Sequence, residues 1–182
     1  NQHARRYDRD RKFQAELRGS IVGLYGYGGI ARETARLAKC FGLGVWALTR
    51  DGTLKLRTLN YRVDGTGDPE GRLPDRVFGP EQREEFLRGV DFLVIAVPLT
   101  AATRGLLGEK ELRMLKPSAV LINAARAHVI DEDAFMRCLR EGWIRGAALD
   151  SHYQEPLPAE HPTWSLPNLM LTPHISASSE SP

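Results

Sequence analysis

The chain has 182 residues, of which 42% are hydrophobic and 26% charged, with a formal net charge of +2. That is the composition of one globular domain, and its near-balanced charge excludes electrostatic attraction to nucleic acid or an anionic membrane. The longest apolar run, Phe92–Leu99, has eight residues, whereas a membrane-spanning helix needs about 20.

Asn1–Arg18 reads as a polar, mostly basic helix with Tyr7, Phe13 and Leu17 as its few apolar positions. It lacks the apolar core of a signal peptide. The missing initial Met points to a piece of a longer protein or a processed chain. Ser20–Leu24 is a short buried strand. Gly28–Phe41 is a helix in which Ile30, Thr34, Leu37, Ala38 and Phe41 share a face, and Gly42 ends it. Val45–Leu48 is a second strand. Asp51–Pro74, with "DGTGDPEG" at 64–71, is a polar loop long enough to invite a functional or variable-insert reading.

Val77 and Phe78 form a short third strand, and Gly79-Pro80 starts a helix through Arg88, where the missing N–H of Pro80 is harmless. Asp91–Val97 is apolar almost throughout, as a strand covered on both faces should be. A short helix over Glu109–Leu115, a strand over Ala119–Ile122 and a helix over Asp131–Arg140 follow, the last with an acidic first turn that suits its dipole. Ala147–Leu149 and Leu169–Leu171 complete six to seven strands. This alternation predicts an α/β fold, a Rossmann-type doubly wound parallel sheet with helices on both faces. Cys40 and Cys138 fall in helical patterns and read as packed thiols, which suits a reducing cytoplasm.

The segment "IVGLYGYGGIARETARLAKCFG" at 21–42 contains G-x-G-x-x-A from Gly26 to Ala31, after a strand and opening a helix. Gly26 permits the tight turn, Gly28 leaves room for a pyrophosphate, and Ala31 lets helix and strand pack closely. Tyr27, Gly29 and Ile30 complete the turn, whose N–H groups and helix dipole suit phosphate oxygens. A structural turn without a ligand is the competing reading. The residue that reads the adenosine ribose should stand at the tip of the second strand. There the chain has Thr49 and Arg50, then Asp51. A hydroxyl followed by a guanidinium favours a 2′-phosphate, hence NADP(H) over NAD(H), unless Asp51 turns inward to take the ribose.

From "VPLTAATRGLLGEKELRMLKPSAVLINAARAHVIDEDAFMRCLREGWIRGAALD" at 97–150 and "EPLPAEHPTWSLPNLMLTPHIS" at 155–176, the chain resembles the D-isomer-specific 2-hydroxyacid dehydrogenase family. The resemblance covers Gly19–Ser176. It implies that Val97, Pro98 and Thr100 line the adenosine side of an NAD(P) cofactor. Ala124 belongs with the cofactor residues, and Asp150 meets the nicotinamide carboxamide. It further implies that Arg126 binds the substrate carboxylate and carbonyl, that His174 is the acid/base, and that Glu155 partners it. No metal is implied.

Those residue types match the chemistry. Hydride transfer to a 2-oxo acid leaves an alkoxide oxygen to be protonated, and a histidine can carry that proton near neutral pH. A carboxylate orients the ring and favours its charged form. An arginine offers a planar fork to the substrate.

The chain departs from the pattern after the arginine, where two glycines are usual and Ala127-His128 stand here. It departs again after Asp150, where Ser151-His152 replaces an apolar pair. His128 and His152 read as packing or surface residues, with a place lining the active site as the alternative, and His161 reads as a structural loop residue. The family's substrate domain is largely missing. The expected organisation is therefore a linker over 1–18, the cofactor domain over 19–176, and at 177–182 the start of a return segment. The expected protein is a cytoplasmic homodimer, joined through this domain, that acts on a small 2-oxo or 2-hydroxy acid. A non-catalytic NAD(H)-sensing module that binds partner proteins is the alternative.

Overall fold

The computed structural model describes residues 16–54 and 63–178. The helix expected over Asn1–Arg18 lies outside them except for its last residues, and Arg18 and Gly19 form a turn.

Seven strands form one sheet. They are β1 (Ile21–Tyr25), β2 (Gly44–Leu48), β3 (Arg76–Phe78), β4 (Phe92–Ile95), β5 (Val120–Asn123), β6 (Gly146–Leu149) and β7 (Leu169–Leu171). Their order is β3-β2-β1-β4-β5-β6-β7, and every pairing is parallel. The chain winds outward from β1 in one direction and then, after β4, in the other. This puts a switch point between β1 and β4, where open α/β sheets leave a crevice beyond their strand ends. Helices α1 (Gly29–Cys40), α2 (Arg83–Gly89), α3 (Glu109–Leu112) and α4 (Glu132–Arg140) lie in the β1–β2, β3–β4, β4–β5 and β5–β6 crossovers. Among the described residues, no helix is long and apolar enough to cross a membrane.

Two apolar clusters sit on the sheet. The larger gathers Phe78, Phe86, Leu93, Leu121 and Phe135 with α2, α3 and α4. The smaller packs Val22, Leu24, Val45 and Val94 against Ala31 and Ala35 of α1. That second contact corrects the face expected for α1. Ile30 is 70% and Phe41 62% exposed, with Leu37 also exposed, while Ala31, Arg32 and Ala35 are buried. The glycine turn delivers the helix so close to the sheet that the small side chains of Ala31 and Ala35 make the contact with it. The larger apolar residues are displaced outward.

Smaller differences have local causes. β4 ends at Ile95, two residues early, because the chain leaves the sheet to reach Pro98. Pro80–Gln82 is a 3-10 turn leading into α2, with Pro80 at its first position as expected. Cys138 is buried, and burial pushes its thiol up to about 12. Cys40 is exposed on the outer side of α1 and is not a packed thiol.

Candidate active site

Beyond the ends of β1, β2 and β4 lies a cleft of about 740 Å³. Its floor is the glycine turn. Gly26 has φ +96°, and a Cβ there would stand 2.8 Å from the Ala96 carbonyl oxygen, so this position demands glycine. Gly28 differs. A Cβ on it would meet no protein atom within 4 Å, so its neighbour is the open cleft. Extended backbone at Gly28 leads straight into α1, whose N-terminus has no side-chain cap. The free N–H groups of that first turn, including those of Gly29 and Ile30, suit an anion. The chain's own residues thus fit a pyrophosphate at this point.

Thr49, Arg50 and Asp51 line the cleft beyond β2. The Asp51 carboxylate accepts from both the N–H and the hydroxyl of Thr53, at 3.2 and 2.8 Å, and Thr49 donates to the Thr53 carbonyl. Arg50 makes no hydrogen bond or ion pair among the described residues. Val97, Pro98 and Thr100 form the opposite side. Thr103 holds them, donating to the Pro98 carbonyl at 2.6 Å and accepting from the Thr100 N–H at 2.8 Å. Arg83 also faces the cleft and pairs with Glu111. Neither Thr103 nor Arg83 was singled out in the sequence, where each looks like any polar residue near a turn.

The second constellation stands at the ends of β5, β6 and β7. Fully buried Asn123 donates to the Arg126 carbonyl and accepts from the Ala125 N–H, which shapes the turn carrying Ala124 and Arg126. Both residues are exposed. The Arg126 guanidinium contacts the Ala125 carbonyl and is not in contact with His174 or Glu155.

His174 and Glu155 are brought together. Nδ1 of His174 lies 2.9 Å from Glu155 Oε2, each side chain being about 40% exposed. The other Glu155 oxygen accepts the His152 N–H at 2.9 Å. These two donors, the His152 amide first and then His174, hold the Glu155 carboxyl below its ordinary range.

His174 has φ +56°, a left-handed conformation that costs a non-glycine residue about 1–3 kcal/mol. Asp150 enforces it. Its carboxylate accepts from the Thr172 hydroxyl at 2.6 Å and from the N–H groups of Ile175 and Ser176 at 3.1 and 3.0 Å. Burial opposes the charge, but these donors outweigh it and drive the Asp150 carboxyl well below the usual range. His152 adds a further tie from its ring Nε2 to the Thr172 carbonyl at 3.0 Å, so it serves this turn and is more than packing. His128 does pack, against the Tyr153 ring, and His161 caps a 3-10 turn at Pro162–Ser165.

Residues 1–176 match the family model "D-isomer specific 2-hydroxyacid dehydrogenase, NAD binding domain". The chain is 39% identical over 162 residues to a glyoxylate reductase of Thermococcus gammatolerans, covering 89% of this chain and 43% of that protein. It is 35% identical over 164 residues to a glyoxylate reductase of Aeropyrum pernix, covering 89% and 44%. Among solved structures, the phosphoglycerate dehydrogenase of Lactobacillus plantarum superposes with a TM-score of 0.83 at 27% identity, over 98% of this chain and 52% of that one. The chain therefore spans less than half the length of those curated relatives. Its glycine turn, its sheet order and the match along nearly its whole length agree: the chain belongs to the D-isomer-specific 2-hydroxyacid dehydrogenases, as their NAD-binding domain.

Proposed function

We propose that residues 19–176 are the cofactor half of an NAD(P)-dependent D-2-hydroxyacid dehydrogenase that interconverts a small 2-oxo acid and its 2-hydroxy acid. Residues 1–18 then form the linker from a substrate domain, and 177–182 begin the return to it. The observation that carries this reading is the Glu155–His174 pair at 2.9 Å, held on a strained turn after β7 of a dinucleotide fold.

A nicotinamide dinucleotide supplies or accepts the hydride when bound. The chain's residues do the rest. Arg126 anchors the substrate carboxylate and polarises the carbonyl through its planar fork. His174, oriented by Glu155, gives a proton to the oxygen that becomes the hydroxyl, and takes it back in the oxidative direction. Asp150 holds the turn that aims His174, and its place beneath that turn also suits a contact with the carboxamide end of the cofactor.

The purified chain is expected to bind dinucleotide and to show no steady-state reduction of glyoxylate or hydroxypyruvate. The protein carrying both halves is expected to turn over. One wall of the substrate cleft is contributed from outside this chain, and an incomplete, wet site stabilises developing charge poorly. Robust turnover by the chain alone, or none by the longer protein, would overturn the proposal.

The cofactor reading favours NADP(H). Arg50 is uncommitted among the described residues, whereas the Asp51 carboxylate is engaged by Thr53. A charge-assisted pair between a guanidinium and a 2′-phosphate contributes about 1.5–3 kcal/mol. Arg50→Ala is therefore expected to weaken NADPH about tenfold or more and to leave NADH almost unchanged, by calorimetry. Equal losses would assign the ribose to Asp51. A homodimer formed through this domain and a cytoplasmic location complete the proposal.

A further inference from the structure

The polar segment that follows β2 is docked onto the glycine turn. Asp68, 5% exposed, accepts the Tyr27 hydroxyl at 2.6 Å and the N–H groups of Arg72 and Leu73 at 2.9 and 3.0 Å. Arg32, 3% exposed, donates through Nη1 to the Asp68 carbonyl and lies 4.8 Å over the Tyr27 ring. A second tie runs from the Gly67 N–H to Glu33 at 2.6 Å. Gly71 lies against Leu54, so that a Cβ on it would be 3.1 Å from the Leu54 Cβ. Tyr27, Arg32 and Leu54 all line the cleft, together with Arg50. The segment itself does not enter the cleft. It stands behind three of the residues that do.

We propose that segment 63–73 is a working part of the dinucleotide site. Asp68 positions Tyr27 and Arg32, so that the largely buried Arg32 guanidinium, lining the same cleft as the exposed Arg50, adds its positive charge there for a ligand bearing a phosphate on its adenosine ribose. The proposal rests on the dinucleotide reading of the cleft and extends it to residues outside the glycine motif and the strand tip.

Two features support it. Arg32 lines the same cleft as Arg50, and its aromatic stacking and main-chain contact fix its direction. A guanidinium fixed in advance loses less freedom on binding an anion than a mobile one. The Asp68 carboxylate, which would repel a phosphate, has its oxygens taken by a hydroxyl and two amides, with the Arg32 guanidinium beside it. Its anion is stabilised from within the protein. A clamp that served only to hold the segment would affect ligands with and without the extra phosphate alike.

The test uses calorimetry with 2′,5′-ADP and 5′-AMP, which share the adenosine and differ in the ribose phosphate. Wild type is expected to prefer 2′,5′-ADP. Arg32→Gln and Asp68→Ala are each expected to weaken 2′,5′-ADP about tenfold, equivalent to about 1.4 kcal/mol, and 5′-AMP less than twofold. Arg32→Lys should recover part of the loss, and thermal melts establish that each variant is folded. If Asp68→Ala does not fold, the Arg32 variants carry the test.

Equal losses for both nucleotides in folded variants, no loss, or tighter 2′,5′-ADP binding by Asp68→Ala would each overturn this proposal and leave the dinucleotide reading standing. Failure of wild type to bind either nucleotide would overturn the dinucleotide reading and this proposal with it.

Discussion

In the protein carrying both halves, His174→Ala is expected to lower kcat for 2-oxo acid reduction about 10²- to 10⁴-fold, the usual loss when a general acid is removed. Dinucleotide affinity should change little, because the glycine turn and the cleft around Arg50 lie on other loops and share no hydrogen bond with His174. Steady-state kinetics in both directions with calorimetric cofactor titration separate the effects. An unchanged kcat with collapsed cofactor affinity would make His174 a structural residue.

Gly26→Ala is expected to be the most damaging change to the cofactor cleft. The new Cβ would lie 2.8 Å from both the Ala96 oxygen and a Val97 methyl carbon, on a residue held at φ +96°. Backbone strain of about 1–3 kcal/mol adds to an overpacking cost of about 1–3 kcal/mol. The first clash is with main chain, so β1 and β4 must separate or the turn must flip. Either movement displaces the N–H groups that face the cleft. The expected result is a stability loss of about 2–6 kcal/mol in denaturant unfolding, with dinucleotide binding lost even where the protein stays folded. Gly28→Ala is the internal comparison. Its Cβ meets no protein atom, so stability should hold while binding falls. A Gly26→Ala protein with wild-type stability and affinity would overturn the account.

The sequence made the architecture legible because two periodicities alternate cleanly. Continuous apolar runs such as Phe92–Ile95 mark strands buried on both faces, and G-x-G-x-x-A at 26–31 fixes where the first crossover begins. Gly26, Tyr27, Gly28, Thr49, Arg50 and Asp51, singled out from the glycine motif and the strand tip, line one cleft together with Val97, Pro98 and Thr100, which the family resemblance implied.

The face of α1 was misread because periodicity reports apolar character and is silent on how closely a helix approaches the sheet. At close approach Ala35 goes beneath and Phe41 stays outside. Asp68 was invisible in "DGTGDPEG", since a buried aspartate and a solvated one look alike until its three donors converge from three sequence positions. His152 was read as packing because its bond partner, the Thr172 carbonyl, is a main-chain group 20 residues away that no side-chain pattern reveals.

The Asp150 carboxylate ties the end of β6 to the turn after β7, bonding across 22 to 26 residues of sequence. Glu155 and His152 bridge the same gap. In the intervening stretch the Trp164 indole donates to the Pro158 carbonyl and His161 caps the turn at 162–165, while buried Leu166 and the His161–Glu132 contact tie it to the body of the domain. The bearing of His174 is therefore set across the chain and not along it. Length changes at exposed Ala159 and Glu160 act mainly through loop-closure entropy, and doubling a loop costs about 0.6 kcal/mol. That point is free to vary in length while one carboxylate keeps the histidine's aim.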